Sequence, residues 1–138
     1  MLLLGLSGGG RRQVMSLGRQ SIVIDQFAQP GRLYPAGSDA ASLWFQYVAL
    51  VVADMDEAFA RLRDVAPISE AGPQLLPRSS GGVRAYKFRD PDGHPLELLQ
   101  FPKDKTPNAW SAGHSLPGQI GIDHSAISVA DSGASAAF

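Results

Sequence analysis

A short turn motif between two apolar segments constrains this chain more than any other feature. Residues 90–93 read Asp-Pro-Asp-Gly, in which proline presets φ, the aspartates accept from nearby backbone N–H groups and glycine tolerates a positive φ. Residues 83–88 alternate with a period near two, and residues 96–101 are an apolar run interrupted by a carboxylate. The pattern predicts two strands joined by a tight turn. Because side chains alternate along a strand, we expect Glu97 and Leu99 to share one face of the sheet.

The segment before this hairpin predicts a strand followed by an amphipathic helix. Residues 44–52 are aromatic and β-branched, which favours a strand. Asp54 is a good N-cap, acidic residues follow it in the first turn, and apolar residues then recur at helical spacing. We therefore predict a helix over residues 54–64 that Pro67 ends. Residues 44–101 then follow the order strand, helix, strand, strand.

Two segments of the chain occur twice at similar separations. Residues 45–54 align with residues 122–131 at an offset of 77, and residues 20–27 align with residues 94–101 at an offset of 74. Such similar offsets indicate a module of about 75 residues. The predicted organisation is the closing hairpin of a preceding partial module at 1–30, a complete module at 44–101, a linker at 102–119 and the start of a following module at 120–138.

Composition limits the partners and the compartment. The chain has 138 residues, of which 44% are hydrophobic and 18% charged, as expected for one soluble globular unit. A net charge of −1 provides no basic field for nucleic acid or an anionic membrane, so neither is expected as a partner. The absence of cysteine excludes disulfides and thiolate metal sites, and it fits the reducing cytoplasm, which is the expected location.

Residues 90–98 read Asp-Pro-Asp-Gly-His-Pro-Leu-Glu-Leu, and an aromatic residue, Phe101, follows soon after. This motif resembles the closing hairpin of a module in the vicinal oxygen chelate superfamily. That superfamily includes glyoxalase I, extradiol dioxygenases and bleomycin or fosfomycin resistance proteins. The preceding strand and helix and the internal repeat agree with the resemblance, which covers about residues 14–138. It implies an α+β fold of βαββ modules that pair to enclose a small-molecule cavity. It also implies that this chain is a piece of a longer, multi-module parent.

The resemblance also implies a set of metal ligands. The family holds a divalent metal (Fe, Mn, Zn or Ni) between a first-strand ligand, usually His, and a last-strand ligand, usually Glu. The last-strand position falls on Glu97, the expected catalytic residue and metal ligand, and the following module's first-strand position falls on His124. The complete module has Tyr47 at its first-strand position, and this residue is expected to line the cavity because Tyr is an uncommon metal ligand. The preceding module has Val23 at its last-strand position, where it cannot bind metal.

Several functions follow from this resemblance. The full-length parent is expected to carry out metal-dependent chemistry, either as a lyase or isomerase like lactoylglutathione lyase or as an extradiol-type dioxygenase, on a small-molecule substrate. The alternatives are a non-catalytic binding module like the bleomycin resistance proteins, or an inactive fragment. The choice between these functions is open because a catalytic metal normally needs about three protein ligands. The visible pair of modules offers one ligand, Glu97, and the family pattern assigns His124 to the next pair. A homodimer formed through module pairing is a further expected assembly.

Each candidate ligand also has a simpler interpretation. Without the resemblance, Glu97 is a solvated carboxylate or the partner of Arg84 or Lys87. His124 is then a polar residue at a strand surface. These interpretations place the same residues in the same strands and differ from the metal hypothesis only in what surrounds the side chains.

Overall fold

The fold is a mixed α+β arrangement with a mostly antiparallel sheet and few helices, seen in a computed structural model that describes residues 9–17, 19–62, 64–106 and 118–137. This confirms the predicted α+β class. The strands are β1 (Gly10–Leu17), β2 (Gln20–Phe27), β3 (Phe45–Val52), β4 (Ala66–Pro67), β5 (Gln74–Leu75), β6 (Arg84–Arg89), β7 (Pro95–Gln100) and β8 (Gln119–Ile127). The helices are α1 (Met55–Arg61) and α2 (Ser132–Ala137), with short 3-10 helices at Arg78–Ser80 and Lys103–Lys105.

In the described part of the chain, the main sheet has six strands. Five follow the order β4-β6-β7-β3-β8, and β5 pairs with β6. Only β3 and β7 run parallel, while the other pairs are antiparallel. A parallel pair needs a crossover connection, and the segment that contains α1 supplies it. Strands β3 and β7 therefore lie side by side at the centre of the sheet, and β8 extends the sheet from β3.

The predicted turn at residues 90–93 joins β6 to β7. The Asp90 carboxylate accepts from the backbone N–H groups of Asp92, at 3.0 Å, and His94, at 2.8 Å. Gly93 has a φ of 88°, in the left-handed region that favours glycine. This turn sets the β6–β7 register, in which Lys87 lies directly opposite Glu97.

The two faces of the main sheet pack against different apolar groups. One face lies under α1, and its buried cluster is Val52, Met55, Tyr86, Phe88 and Leu98. The opposite face carries a smaller buried cluster, Ala49, Val83, Ala85 and Leu99, with Tyr47, Leu76 and Phe101 packed against it. The predicted alternation along β7 is confirmed, because Leu98 and Leu99 lie in different clusters.

Helix α1 begins where the sequence predicts and ends earlier than it predicts. Asp54 is the N-cap, and its carboxylate accepts from the Glu57 backbone N–H at 2.9 Å. The last helical residue is Arg61, so the predicted helix over 54–64 is too long and Pro67 does not end it. The backbone leaves helical geometry at Leu62, which has a ψ of 58°, and Asp64 has a left-handed φ of 68° that a right-handed helix does not accommodate. Leu62 and Val65 nevertheless both pack against the core cluster under the helix.

We expect Asp54→Ala to lower the free energy of unfolding by about 1 kcal/mol, because the first turn of α1 loses its side-chain acceptor. Urea denaturation of both proteins measures the change. Asp54→Asn is the matched control, since asparagine caps helices about as well as aspartate and should leave the midpoint nearly unchanged. Equal losses in the two variants would contradict the capping role.

The N-terminal hairpin and the C-terminal strand flank the main sheet. The hairpin predicted within residues 1–30 is confirmed as an antiparallel pair of β1 and β2, and Gly18 between the two strands lies outside the described residues. The Gln20 side chain connects this hairpin to β8. Its amide oxygen accepts from the Ile122 backbone N–H at 2.7 Å, and its amide nitrogen donates to the Ile122 carbonyl at 2.8 Å. Most of the predicted linker, residues 107–117, also lies outside the described residues. None of the described helices has the length and apolar character needed to cross a membrane.

Candidate functional site

The sequence-predicted site residues Tyr47, Glu97 and His124 come together on the face of the sheet opposite α1. Ala49 of β3, which is fully buried, pairs with Glu97 of β7 on one side and with His124 of β8 on the other. Tyr47 lies two residues before Ala49 and therefore on the same face. Strand β8, which carries His124, pairs directly with β3, and the assignment of His124 to a following pair of modules stays a prediction.

Glu97 is buried and forms an ion pair. Only 6% of the residue is exposed, and the Lys87 Nζ atom lies 3.3 Å from its Oε1 atom. A carboxylate this deep needs a partner, because burying an unpaired charge costs several kcal/mol. Of the two partners that the sequence allowed, Lys87 is the one observed. Arg84 lies three residues away on the same strand, so it faces α1 and pairs instead with Asp56 at 2.7 Å.

The Lys87 ammonium also contacts an aromatic ring. Its Nζ atom lies 3.1 Å from the centroid of the Tyr47 ring, well within the range of a cation–π contact. The ammonium is thus held between the Glu97 carboxylate and the π face of Tyr47. The positive charge next to the Glu97 carboxylate is therefore supplied by the Lys87 side chain.

Tyr47 and His124 extend this arrangement across β3 to β8. The Tyr47 hydroxyl lies 3.4 Å from His124 Nε2, and the two rings are edge to face with centroids 5.5 Å apart. His124 Nδ1 lies 2.7 Å from a carboxylate oxygen of Asp123. When Nδ1 carries the proton it donates to Asp123, and Nε2 is then free to accept from the Tyr47 hydroxyl. We refer to Glu97, Lys87, Tyr47, His124 and Asp123 as the polar row.

The polar row does not fit a metal centre built from the described residues. Glu97 and His124 are of the ligand types that the sequence suggested, but Glu97 Oε1 is paired with the Lys87 ammonium and Nε2 of His124 faces the Tyr47 hydroxyl. Across the described ranges, no group of three or more His, Cys, Asp or Glu side chains is placed to hold a metal ion. The metal-binding role of Glu97 and His124 therefore stays a prediction.

A pocket of about 130 Å³ adjoins the polar row and shares Tyr47 and Lys87 with it. Arg89 also lines this pocket, and it lies on the same face as Lys87 because the two are two residues apart on β6. Arg89 was not predicted as a site residue because it lies one position beyond the predicted strand at residues 83–88, whereas the observed β6 includes it. A larger cavity of about 410 Å³, between the end of β2 and the following connector, contains none of the predicted site residues.

The described site thus consists of a buried, internally neutralised carboxylate, two aromatic rings and a small pocket with a second cation. A few oriented polar groups thus lie beside apolar surface on this face of the sheet. Comparison of the chain with protein-family models, with curated proteins and with solved structures found no match.

Proposed function

We propose that this chain binds a small molecule on the sheet face that carries the polar row, as a non-catalytic member of the vicinal oxygen chelate superfamily. The observation that carries this proposal is the position of the Lys87 ammonium, 3.3 Å from the Glu97 carboxylate and 3.1 Å from the centroid of the Tyr47 ring. The carboxylate that the resemblance makes a metal ligand is already neutralised by a side chain. A site of this kind does not need a metal to complete its charge balance.

Three features support membership of that superfamily. Strands β3, β6 and β7 and helix α1 follow the order expected of a βαββ module, with two-residue strands β4 and β5 in the connection. The first and last strands of this unit are parallel neighbours. The pairing of β8 with β3 then brings two first-strand positions, Tyr47 and His124, onto one face. Paired modules of the family are expected to bring their first-strand positions together in a common cavity.

The polar row has the groups needed to orient a ligand. The His124 side chain is 41% exposed, so its ring is accessible to a molecule lying over the sheet. The Lys87 side chain is 33% exposed and has donor capacity beyond its bond to Glu97. Tyr47 adds an aromatic surface at the centre. A flat molecule with at least one hydrogen-bond acceptor suits these three groups.

Binding is tested by amide-resolved NMR of the full chain with a mixture of small aromatic fragments. We expect shift changes to concentrate at Tyr47, Lys87 and His124, and to disappear in Tyr47→Leu. Phe59→Leu is the matched control, because Phe59 is a partly exposed aromatic residue on the α1 side of the sheet. Shift changes confined to other surfaces, or equal losses in the two variants, would count against the proposed site.

A second candidate function is metal-dependent lyase, isomerase or dioxygenase chemistry. It is favoured by one observation, namely that Glu97 and His124 flank Ala49 on the same face. It requires Lys87 to move away from the Glu97 carboxylate. It also requires a further metal ligand from outside the described residues. Of the two candidates, the first needs no such rearrangement.

Elemental analysis of the purified chain after exposure to Fe, Mn, Zn or Ni separates the two candidates. The binding proposal expects no stoichiometric metal in the wild-type chain. Stoichiometric metal that is lost in both Glu97→Gln and His124→Ala, but kept in His94→Ala, would establish the metal-dependent alternative. His94 is a suitable control because it is half-exposed beside the 90–93 turn and bonds Asp90.

A further inference from the structure

We propose that the pocket beside the polar row is a subsite for the carboxylate of a small aromatic acid, and that Arg89 is the residue that binds this carboxylate. This inference rests on the proposed function, since it names the class of ligand that the same face would take. The pocket has a volume of about 130 Å³ and is lined in part by Tyr34, Tyr47, Ile68, Lys87 and Arg89.

Arg89 differs from the other arginines whose partners are known in the described residues. Arg12, Arg61 and Arg84 each form a salt bridge with a carboxylate. Arg89 instead donates to two neutral acceptors, the backbone carbonyls of Gly93, at 2.9 Å, and Ser38, at 3.3 Å. No carboxylate of the described residues forms a salt bridge with it. Its guanidinium therefore forms no direct ion pair within the described residues.

The two carbonyl contacts orient the Arg89 guanidinium without neutralising it. A guanidinium has five N–H donors in a fixed plane, and the two contacts use one on each Nη nitrogen. The remaining donors suit the two parallel oxygens of a carboxylate, which is the anion that this planar geometry matches best. Arg89 is half-buried, and partial exclusion of water strengthens such a contact.

The walls of the pocket favour an aromatic body on that acid. The Tyr34 ring lies 5.7 Å from the Arg89 guanidinium carbon, and its hydroxyl is engaged with the Phe45 carbonyl at 2.7 Å, so the ring is held in place. Tyr47 and Ile68 add further apolar surface. A cavity of about 150 Å³ is large enough for a benzene ring, and the present volume of about 130 Å³ is close to that size.

One acidic residue, Asp39, lies in the wall of the pocket and limits the charge that a ligand can carry there. Asp39 lines the pocket, and hydrogen bonds from the Ser42 hydroxyl and the Ala41 backbone N–H hold the pKa of its carboxyl below the usual value. Asp39 therefore stays ionised at neutral pH. Its charge opposes a second negative group on the ligand, so we confine the proposal to a monocarboxylate bound by Arg89.

The test compares benzoate with benzamide, a neutral molecule of the same shape, by NMR titration of the full chain at neutral pH. We expect benzoate to bind at least about tenfold more tightly, because the contact with the guanidinium is charge-assisted. Arg89→Gln should remove this preference, and Arg89→Lys should restore part of it. Arg84→Gln is the matched control, because Arg84 is on the same strand but faces Asp56 on α1.

Each outcome of this comparison either supports or overturns the carboxylate subsite. A benzoate preference that Arg89→Gln removes and Arg84→Gln keeps supports the carboxylate subsite. Equal binding of benzoate and benzamide on this face overturns the subsite and leaves the proposed small-molecule function standing. Failure of both probes to bind at millimolar concentration also overturns the subsite, and the fragment titration described above decides the proposed function separately. The benzoate–benzamide comparison uses the unmodified chain, so it holds even where an Arg89 variant does not fold.

Discussion

Leu98→Ala is expected to lower the free energy of unfolding by about 2–5 kcal/mol. Leu98 is 2% exposed and lies in the cluster between the main sheet and α1 with Met55, Tyr86 and Phe88. The truncation removes buried apolar surface and leaves a cavity that the surrounding strand residues fill only in part. A domain of this size typically has a total stability of about 5–15 kcal/mol, so the loss is a large fraction of it.

Urea denaturation of the purified chain measures this effect, with Leu75→Ala as the matched control. Leu75 is also a strand leucine, but 71% of it is exposed, and its truncation should change stability by no more than about 0.5 kcal/mol. Comparable losses in the two variants would show that Leu98 does not lie in the core described here.

Lys87→Met is expected to lower the free energy of unfolding by about 1–3 kcal/mol at neutral pH, because it leaves a buried carboxylate without its partner. Glu97→Gln should cost less. Lys87 has a 33% exposed side chain and can extend into water when its partner is lost, whereas the Glu97 side chain is only 8% exposed. The double variant should therefore be more stable than Lys87→Met alone.

A double-mutant cycle from four urea denaturation curves gives the coupling between the two side chains. Lys103→Met is the control, since Lys103 is exposed on a short 3-10 helix and should have little effect. A coupling near zero, or a larger loss in Glu97→Gln than in Lys87→Met, would mean that the ion pair does not neutralise Glu97. The main argument for a metal-free site would then fail.

Local sequence signals predicted much of the fold. The Asp-Pro-Asp-Gly turn, the cap at Asp54 and the alternation along β7 depend on interactions within a few residues, and the structure has all three. The end of α1 was not predictable in this way. Helical spacing of apolar residues continues through Leu62 and Val65, which both pack against the core cluster. The backbone nevertheless leaves helical geometry at Leu62 and has a positive φ at Asp64.

The sequence by itself determined the α+β class, the two hairpins and the presence of Tyr47, Glu97 and His124 on strands. Only the tertiary structure decided that β8 pairs with β3, that Lys87 rather than Arg84 neutralises Glu97, and that Arg89 lines a pocket without a carboxylate partner. Hydrophobic periodicity and turn chemistry are properties of neighbouring residues, so a linear pattern carries them. The choice of strand partner and the environment of a buried charge depend on residues far apart in the chain, and these contacts exist only once the sheet has formed.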